Sequence, residues 1–160
     1  ELFTEVYEIE EPGHIEGGDI LVTSKEILVG RSARTDEKGV SRLSDIVTKI
    51  GYVMREVFTP PEILHFKTDC SLLGPNEILS TKRLQASGCF DGYKVINVAD
   101  GEEAAANAIR VNDYVIMPAG FSKTKAILED HGYKVKAINN TECAKLDGGM
   151  SCLSLRLNLM

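Results

Sequence analysis

Short apolar runs flank polar turns at three places along this chain. Ile20-Leu21-Val22 and Ile27-Leu28-Val29 enclose Thr23-Ser24-Lys25-Glu26. Cys70-Ser71-Leu72-Leu73 and Ile78-Leu79 enclose Gly74-Pro75-Asn76-Glu77. Ala108-Ile109-Arg110-Val111 and Tyr114-Val115-Ile116-Met117 enclose Asn112-Asp113. Runs of this length, bounded by Gly, Pro, Asn and Asp, predict β-hairpins.

Each hairpin is followed by a helical pattern and then by another extended run. Val40, Leu43, Val47 and Ile50 recur at spacings of three and four, which predicts a helix from 37 to about 50 with one apolar face. An extended run over 55–58 follows. A second helix is expected over 122–130, with Ser122 as N-cap and Gly132 at its C-terminal end, before a strand over 133–138. The middle repeat has only a short helix over 81–87 and then a strand over 93–98. A last strand is expected over about 152–157. The pattern is therefore α/β, a ββαβ unit repeated about three times, with units near 1–60, 61–100 and 101–160 of a single domain. Units recurring every ~35–55 residues suggest a radially repeated, propeller-like assembly. Three do not obviously close a ring. The chain also starts at Glu1, without Met, and enters an apparent strand almost at once. Both features lead to the expectation that part of the assembly lies outside these 160 residues.

Composition narrows the class. With 43% hydrophobic and 26% charged residues, 160 residues suffice for one soluble globular core. A net charge of −6 without a basic run argues against nucleic acid. No apolar stretch approaches the ~18 residues of a membrane span, and no leader pattern opens the sequence. Cys70, Cys89, Cys143 and Cys152 form no C-x-x-C pair, so reduced thiols in a cytoplasmic protein are expected.

Candidate chemistry starts with Cys152, in Asp147-Gly148-Gly149-Met150-Ser151-Cys152-Leu153-Ser154. The Gly-Gly pair permits a close backbone approach or a positive φ, and a thiol behind such a loop is reachable by substrate. A small buried hydrophobe is the bland alternative. His131 ends a helix, where the dipole favours a cation, and His14 lies in a loop after Pro12-Gly13. His65, in Ile63-Leu64-His65-Phe66-Lys67-Thr68, is a core histidine unless it has a thiol to serve. Glu16-Gly17-Gly18-Asp19 sets two acids around a Gly pair, either as a solvated turn or as a paired or cation-binding group. Gly30-Arg31-Ser32-Ala33-Arg34-Thr35 carries two Arg side chains suited to gripping a carboxylate.

Taken in order, Glu16-Gly17-Gly18-Asp19, Gly30-x-Ser32-x-Arg34-Thr35, His65-x-Lys67-Thr68 and Gly148-Gly149-x-Ser151-Cys152-x-Ser154 resemble the dimethylarginine dimethylaminohydrolases. These are relatives of the arginine deiminases and amidinotransferases. Ala105-Ala106-Asn107 fits as well, and the resemblance covers essentially the whole chain. It implies the α/β propeller, or pentein, of five ββαβ modules, of which this chain would hold the last three. It implies that Cys152 attacks the guanidinium carbon of an N-methylated arginine, that His65 protonates the leaving amine, and that water releases citrulline from a thiouronium on Cys152. Glu16 would orient His65 or pair with the guanidinium. Arg34 would hold the α-carboxylate, a carbonyl at Leu146 would meet the α-amino group, and Asp19 would join the substrate-binding set. Neither metal nor cofactor is expected.

Lys67 stands where deiminases and amidinotransferases typically carry a guanidinium-binding Asp, which favours a methylated substrate. The family's first two modules carry further acids for the guanidinium, so the chain alone is expected to be inactive or nearly so. The alternatives are a deiminase-like or other guanidine hydrolase and a non-catalytic propeller fragment that associates with other chains. Its open edges would be completed by a homo-oligomer or by N-terminal modules.

Overall fold

The computed structural model describes residues 5–155. Three three-stranded sheets follow one another along the chain, all built alike. The first holds β1 (Ile20–Val22), β2 (Ile27–Arg31), α1 (Glu37–Lys49) and β3 (Met54–Phe58). The second holds β4 (Cys70–Gly74), β5 (Glu77–Ser80), α2 (Lys82–Gln85) and β6 (Lys94–Asn97). The third holds β7 (Ile109–Val111), β8 (Tyr114–Pro118), α3 (Ser122–Asp130) and β9 (Lys134–Ile138), and a short α4 (Thr141–Ala144) follows. In each sheet the hairpin is antiparallel and the third strand joins its second strand in parallel. A parallel partner requires a crossover, which the helix supplies.

The apolar runs end up at the centre of the buried sheets. Leu28, Val29, Ile78, Leu79, Val115 and Met117 are all inaccessible to solvent. Leu21, Leu28, Val57, Phe66, Cys70, Ile78 and Leu84 form one cluster spanning the first two sheets. Leu73, Leu79, Ile96, Val115, Met117 and Leu128 form another spanning the second and third. The units therefore share their cores.

Polar contacts stitch the same seams. The third strand of each unit is preceded by Gly-Tyr, and Gly51, Gly92 and Gly132 have φ of 86°, 87° and 86°. The Tyr93 hydroxyl bonds Thr23 and Glu26 of the preceding unit, and Arg55 grips both oxygens of Glu26 at 3.0 and 2.8 Å. Tyr133 donates in the same way to Glu77. Burial, and then the Glu77 carboxylate, push the Tyr133 phenol up to about 12.

Three details differ from the sequence expectation. Helix α3 begins at Ser122 but is not capped by it: Glu102 accepts from the amides of Lys123 and Thr124 at 3.2 and 2.7 Å. A carboxylate from a neighbouring loop thus replaces the local hydroxyl at the positive helix end. Residues 5–10 have no strand structure, and residues 1–4 lie outside the described residues. The strand expected over 152–157 is a turn at 151–153, closed by Ser154 N donating to Ser151 O at 3.2 Å; residues 156–160 lie outside the described residues. Alternating apolar residues make a strand only beside a partner, and β9 already holds the place next to β8.

Among the described residues no helix is long and apolar enough to cross a membrane, and no cluster of three or more His, Cys, Asp and Glu side chains is arranged to hold a metal ion.

Helix α1 is capped by Asp36, which accepts from Gly39 N at 2.7 Å and from His14 N at 3.2 Å. These bonds hold its carboxyl at about 2. A depressed carboxyl stabilises the fold above its unfolded value and loses that contribution as pH falls through the folded one. Helicity followed by circular dichroism between pH 4 and 2 should therefore fall in the native chain. The decline should be smaller in Asp36→Asn, which caps without titrating.

Candidate active site

Each sheet is entered through a short 3-10 turn: Gly17–Asp19 before β1, Phe66–Thr68 before β4 and Glu103–Ala106 before β7. Glu16 and His65 sit immediately before the first two turns, and Asn107 immediately after the third. The repeat thus delivers three polar side chains to the sheet entrances.

Asp19 organises the first of them. It is completely buried. One carboxylate oxygen accepts from Ser32 Oγ at 2.8 Å and Thr35 Oγ1 at 2.7 Å, and the other from Phe66 N at 2.8 Å. Thr35 Oγ1 also accepts from Glu16 N at 3.1 Å. The resemblance would set Asp19 among the substrate-binding residues; here its carboxylate is buried and turned inward. Both its oxygens are spent inside the chain, tying the Glu16 turn, the Ser32–Thr35 bridge and the His65 segment together. Asp69 is used alike: it is buried and accepts from Thr81 Oγ1 at 2.6 Å and from the Arg83 guanidinium at 2.5 and 2.8 Å.

Held this way, Glu16 meets His65: the imidazole Nε2 hydrogen-bonds the carboxylate. The same Glu16 oxygen lies 3.5 Å from Arg34 Nη1. The hydrogen bond from His65 is the chief cause lowering the Glu16 carboxyl below its usual range, aided by the His65 and Arg34 charges and opposed by burial. An ionised Glu16 accepts only, so Nε2 carries the proton. Gly18 is required here, because a Cβ would sit 2.8 Å from the His65 ring carbon Cγ. Arg34 remains half exposed, as an anion-binding guanidinium must.

Cys152 lies on a separate loop and is exposed, with Sγ 3.6 Å from Asn107 Nδ2. Leu146, on the same loop, is exposed, with its amide bonded to Cys143 O at 3.0 Å. Cys70 and Cys89 are buried, and burial raises both thiols. Cys143 is exposed like Cys152.

The two groups border common space. A cleft of about 560 Å³ is lined by Gly17 and Lys67 on one side and by Ala108, Ser151 and Ser154 on the other. The Glu16 and His65 segments thus face the residues flanking Asn107 and Cys152. A second hollow brings Leu64 and Thr68 against Asn107, Asp147 and Gly149. Asn107 is the residue that spacing alone gave no role; its signal in the sequence was its position directly before a hairpin.

Two outcomes follow. Asp19→Ala leaves two hydroxyls and an amide without their acceptor, and should cost roughly 2–4 kcal/mol in urea unfolding. With iodoacetamide followed by peptide mass spectrometry, Cys152 and Cys143 should be alkylated in the folded chain and Cys70 and Cys89 only in denaturant. Cys152 should be the faster of the exposed pair.

Comparison with known proteins agrees with the fold and with the family resemblance. A family model for arginine deiminase matches residues 3–105, a stretch that includes Glu16, Arg34 and His65. The N(G),N(G)-dimethylarginine dimethylaminohydrolase of Pseudomonas aeruginosa is 36% identical over 151 residues, 94% of this chain and 59% of that protein. The enzyme of the same name from Streptomyces coelicolor is 30% identical over 150 residues, 92% of this chain and 56% of that protein. The chain thus spans less than two thirds of the length of these relatives. The Pseudomonas aeruginosa enzyme, solved as a cysteine-to-serine variant complexed with citrulline, superposes with a TM-score of 0.87 at 35% identity, covering 92% of this chain and 58% of that one. The N-terminal domain of a cyanobacterial arginine dihydrolase shares the fold, with a TM-score of 0.82 at 23% identity over 96% of this chain and 60% of that one. With the model matched over more than half its length, and the repeated ββαβ sheets shared with these structures, the chain belongs to the arginine deiminase family.

Proposed function

We propose that this chain carries the nucleophile and the acid/base pair of an enzyme that hydrolyses N-ω-methylated arginine to citrulline and methylamine or dimethylamine. The observation that carries the reading is the Glu16–His65 pair together with a cleft lined by Gly17, Lys67, Ser151 and Ser154, which lie within two residues of Glu16, His65 and Cys152 in the chain. Its support from likeness is the 36% identity to a dimethylarginine dimethylaminohydrolase over 94% of the chain. Lys67, on the cleft wall, stands in place of a second carboxylate for unmethylated guanidinium.

The chemistry runs in two halves. The Cys152 thiolate adds to the guanidinium carbon, and the bond from that carbon to the alkylated nitrogen breaks as protonated His65 gives its proton to the leaving amine. This leaves a thiouronium on Cys152. Neutral His65 then takes a proton from water, the oxygen adds to the same carbon, and the C–S bond breaks to return the thiolate and citrulline, with the remaining water proton passing to solvent. Glu16 holds the imidazole in orientation through its hydrogen bond with Nε2. Arg34 receives the α-carboxylate, and the Leu146 carbonyl receives the α-amino group.

The ring that completes the pocket, one domain with unit boundaries near 60 and 100 in this chain, is supplied by further ββαβ modules rather than by copies of this chain. Four unpaired cysteines fit a reducing compartment, and we place the protein in the cytoplasm.

The test is citrulline release from arginine, monomethylarginine and dimethylarginine. It compares this chain alone with this chain joined to the remaining length found in its relatives. The joined protein should turn over the methylated substrates, with the chain alone weaker by at least roughly 100-fold, because the substrate is no longer held in line with the thiol. Cys152→Ser should lower the rate by at least about 10,000-fold and His65→Ala by roughly 100- to 10,000-fold. Turnover of arginine alone, or activity retained in Cys152→Ser, would overturn the reading.

A further inference from the structure

We infer that Asn107 is the group that stabilises the Cys152 thiolate, its side-chain amide forming a one-residue anion site for the sulfur. This rests on the proposed reading of Cys152 as nucleophile and deepens it.

The orientation of the amide decides the matter. Asn107 is buried, and its Oδ1 accepts from Ser151 N at 2.8 Å. A backbone N–H can only donate, so the oxygen must face Ser151 and the NH2 must face away from it. That NH2 lies 3.6 Å from Cys152 Sγ. One amide therefore grips the residue before the nucleophile and presents N–H to the nucleophile itself. The loop is shaped around it. Gly149 lies against the Asn107 side chain so closely that a Cβ there would overlap both amide heavy atoms. The Gly-Gly pair is thus explained: its second glycine leaves room for Asn107.

The other polar neighbour has the opposite preference. Sγ lies 4.0 Å from the carbonyl of Asp147, a residue at φ 58°. A neutral thiol donates to that oxygen, whereas a thiolate is repelled by it and accepts from Asn107. The two neighbours therefore divide the two protonation states between them. The other titratable groups here are Cys143 in α4 and the Asp147 carboxyl on the Cys152 loop, with Lys67 on the wall of the larger cleft. Asn107 is the neutral member, so its effect on the thiol does not itself titrate.

The test reads the thiol, not turnover. The pH dependence of Cys152 alkylation by iodoacetamide is measured in the native chain and in Asn107→Asp, which is isosteric and keeps an acceptor for Ser151 N. Replacing the NH2 by a carboxylate oxygen should raise the thiol pKa by about one unit, slowing alkylation near neutral pH roughly tenfold. Alkylation of Cys143 should not change. An unchanged profile for Cys152 overturns the inference. Should Asn107→Asp unfold, as judged by Cys70 and Cys89 becoming reactive, the native chain decides. Its Asn107 side-chain amide resonances should move with the midpoint of Cys152 alkylation, and that movement should vanish in Cys152→Ala. Amide resonances that ignore the Cys152 titration overturn it equally. Because no step requires citrulline formation, failure here and failure of the proposed hydrolysis are told apart.

Discussion

A single buried carboxylate holds the site together. Asp19 is cut off from water and must find its hydrogen bonds within the chain, since an unsatisfied buried charge is far costlier than a paired one. It finds them in Ser32, Thr35 and the amide of Phe66, which belong to the exit of β2 and the entrance of the second sheet. Satisfying one side chain therefore fixes three segments far apart in sequence. Glu16, hung from Thr35, and His65, next to Phe66, come into contact as a result.

The repeat explains why this works twice. Asp69 occupies the same place at the second sheet and reaches Thr81 as Asp19 reaches Thr35. The third sheet has no acid at that point but Ala108, preceded by Asn107. There the polar side chain turns to the Cys152 loop instead of to its own unit. In the third unit the contact to the nucleophile comes from the residue just before that position.

The seams impose the remaining order. Gly-Tyr before the third strand recurs in all three units, yet only Tyr93 and Tyr133 have a preceding unit in this chain to bond, through Glu26 and Glu77. Shared apolar clusters run beneath these bonds. The relative angles of the sheets, and hence the width of the cleft, follow from packing that no one unit contains.

The sequence by itself determined the three hairpins, their crossover helices and the burial of Leu28, Leu79 and Val115, because strand and helix periodicity are local properties of side-chain spacing. It also marked Cys152, His65, Glu16 and Arg34, though as residues with bland alternatives until four motifs were taken in order. Tertiary structure alone decided the rest. It turned the Asp19 carboxylate inward, because whether a carboxylate faces water depends on what packs over it. It capped α3 with Glu102 rather than Ser122, because a cap is any acceptor that arrives, not the nearest in sequence. It denied a strand at Ser151–Leu153, where no neighbouring strand offers a ladder. And it gave Asn107 a place beside the sulfur, 45 residues away along the chain, a contact that spacing cannot encode.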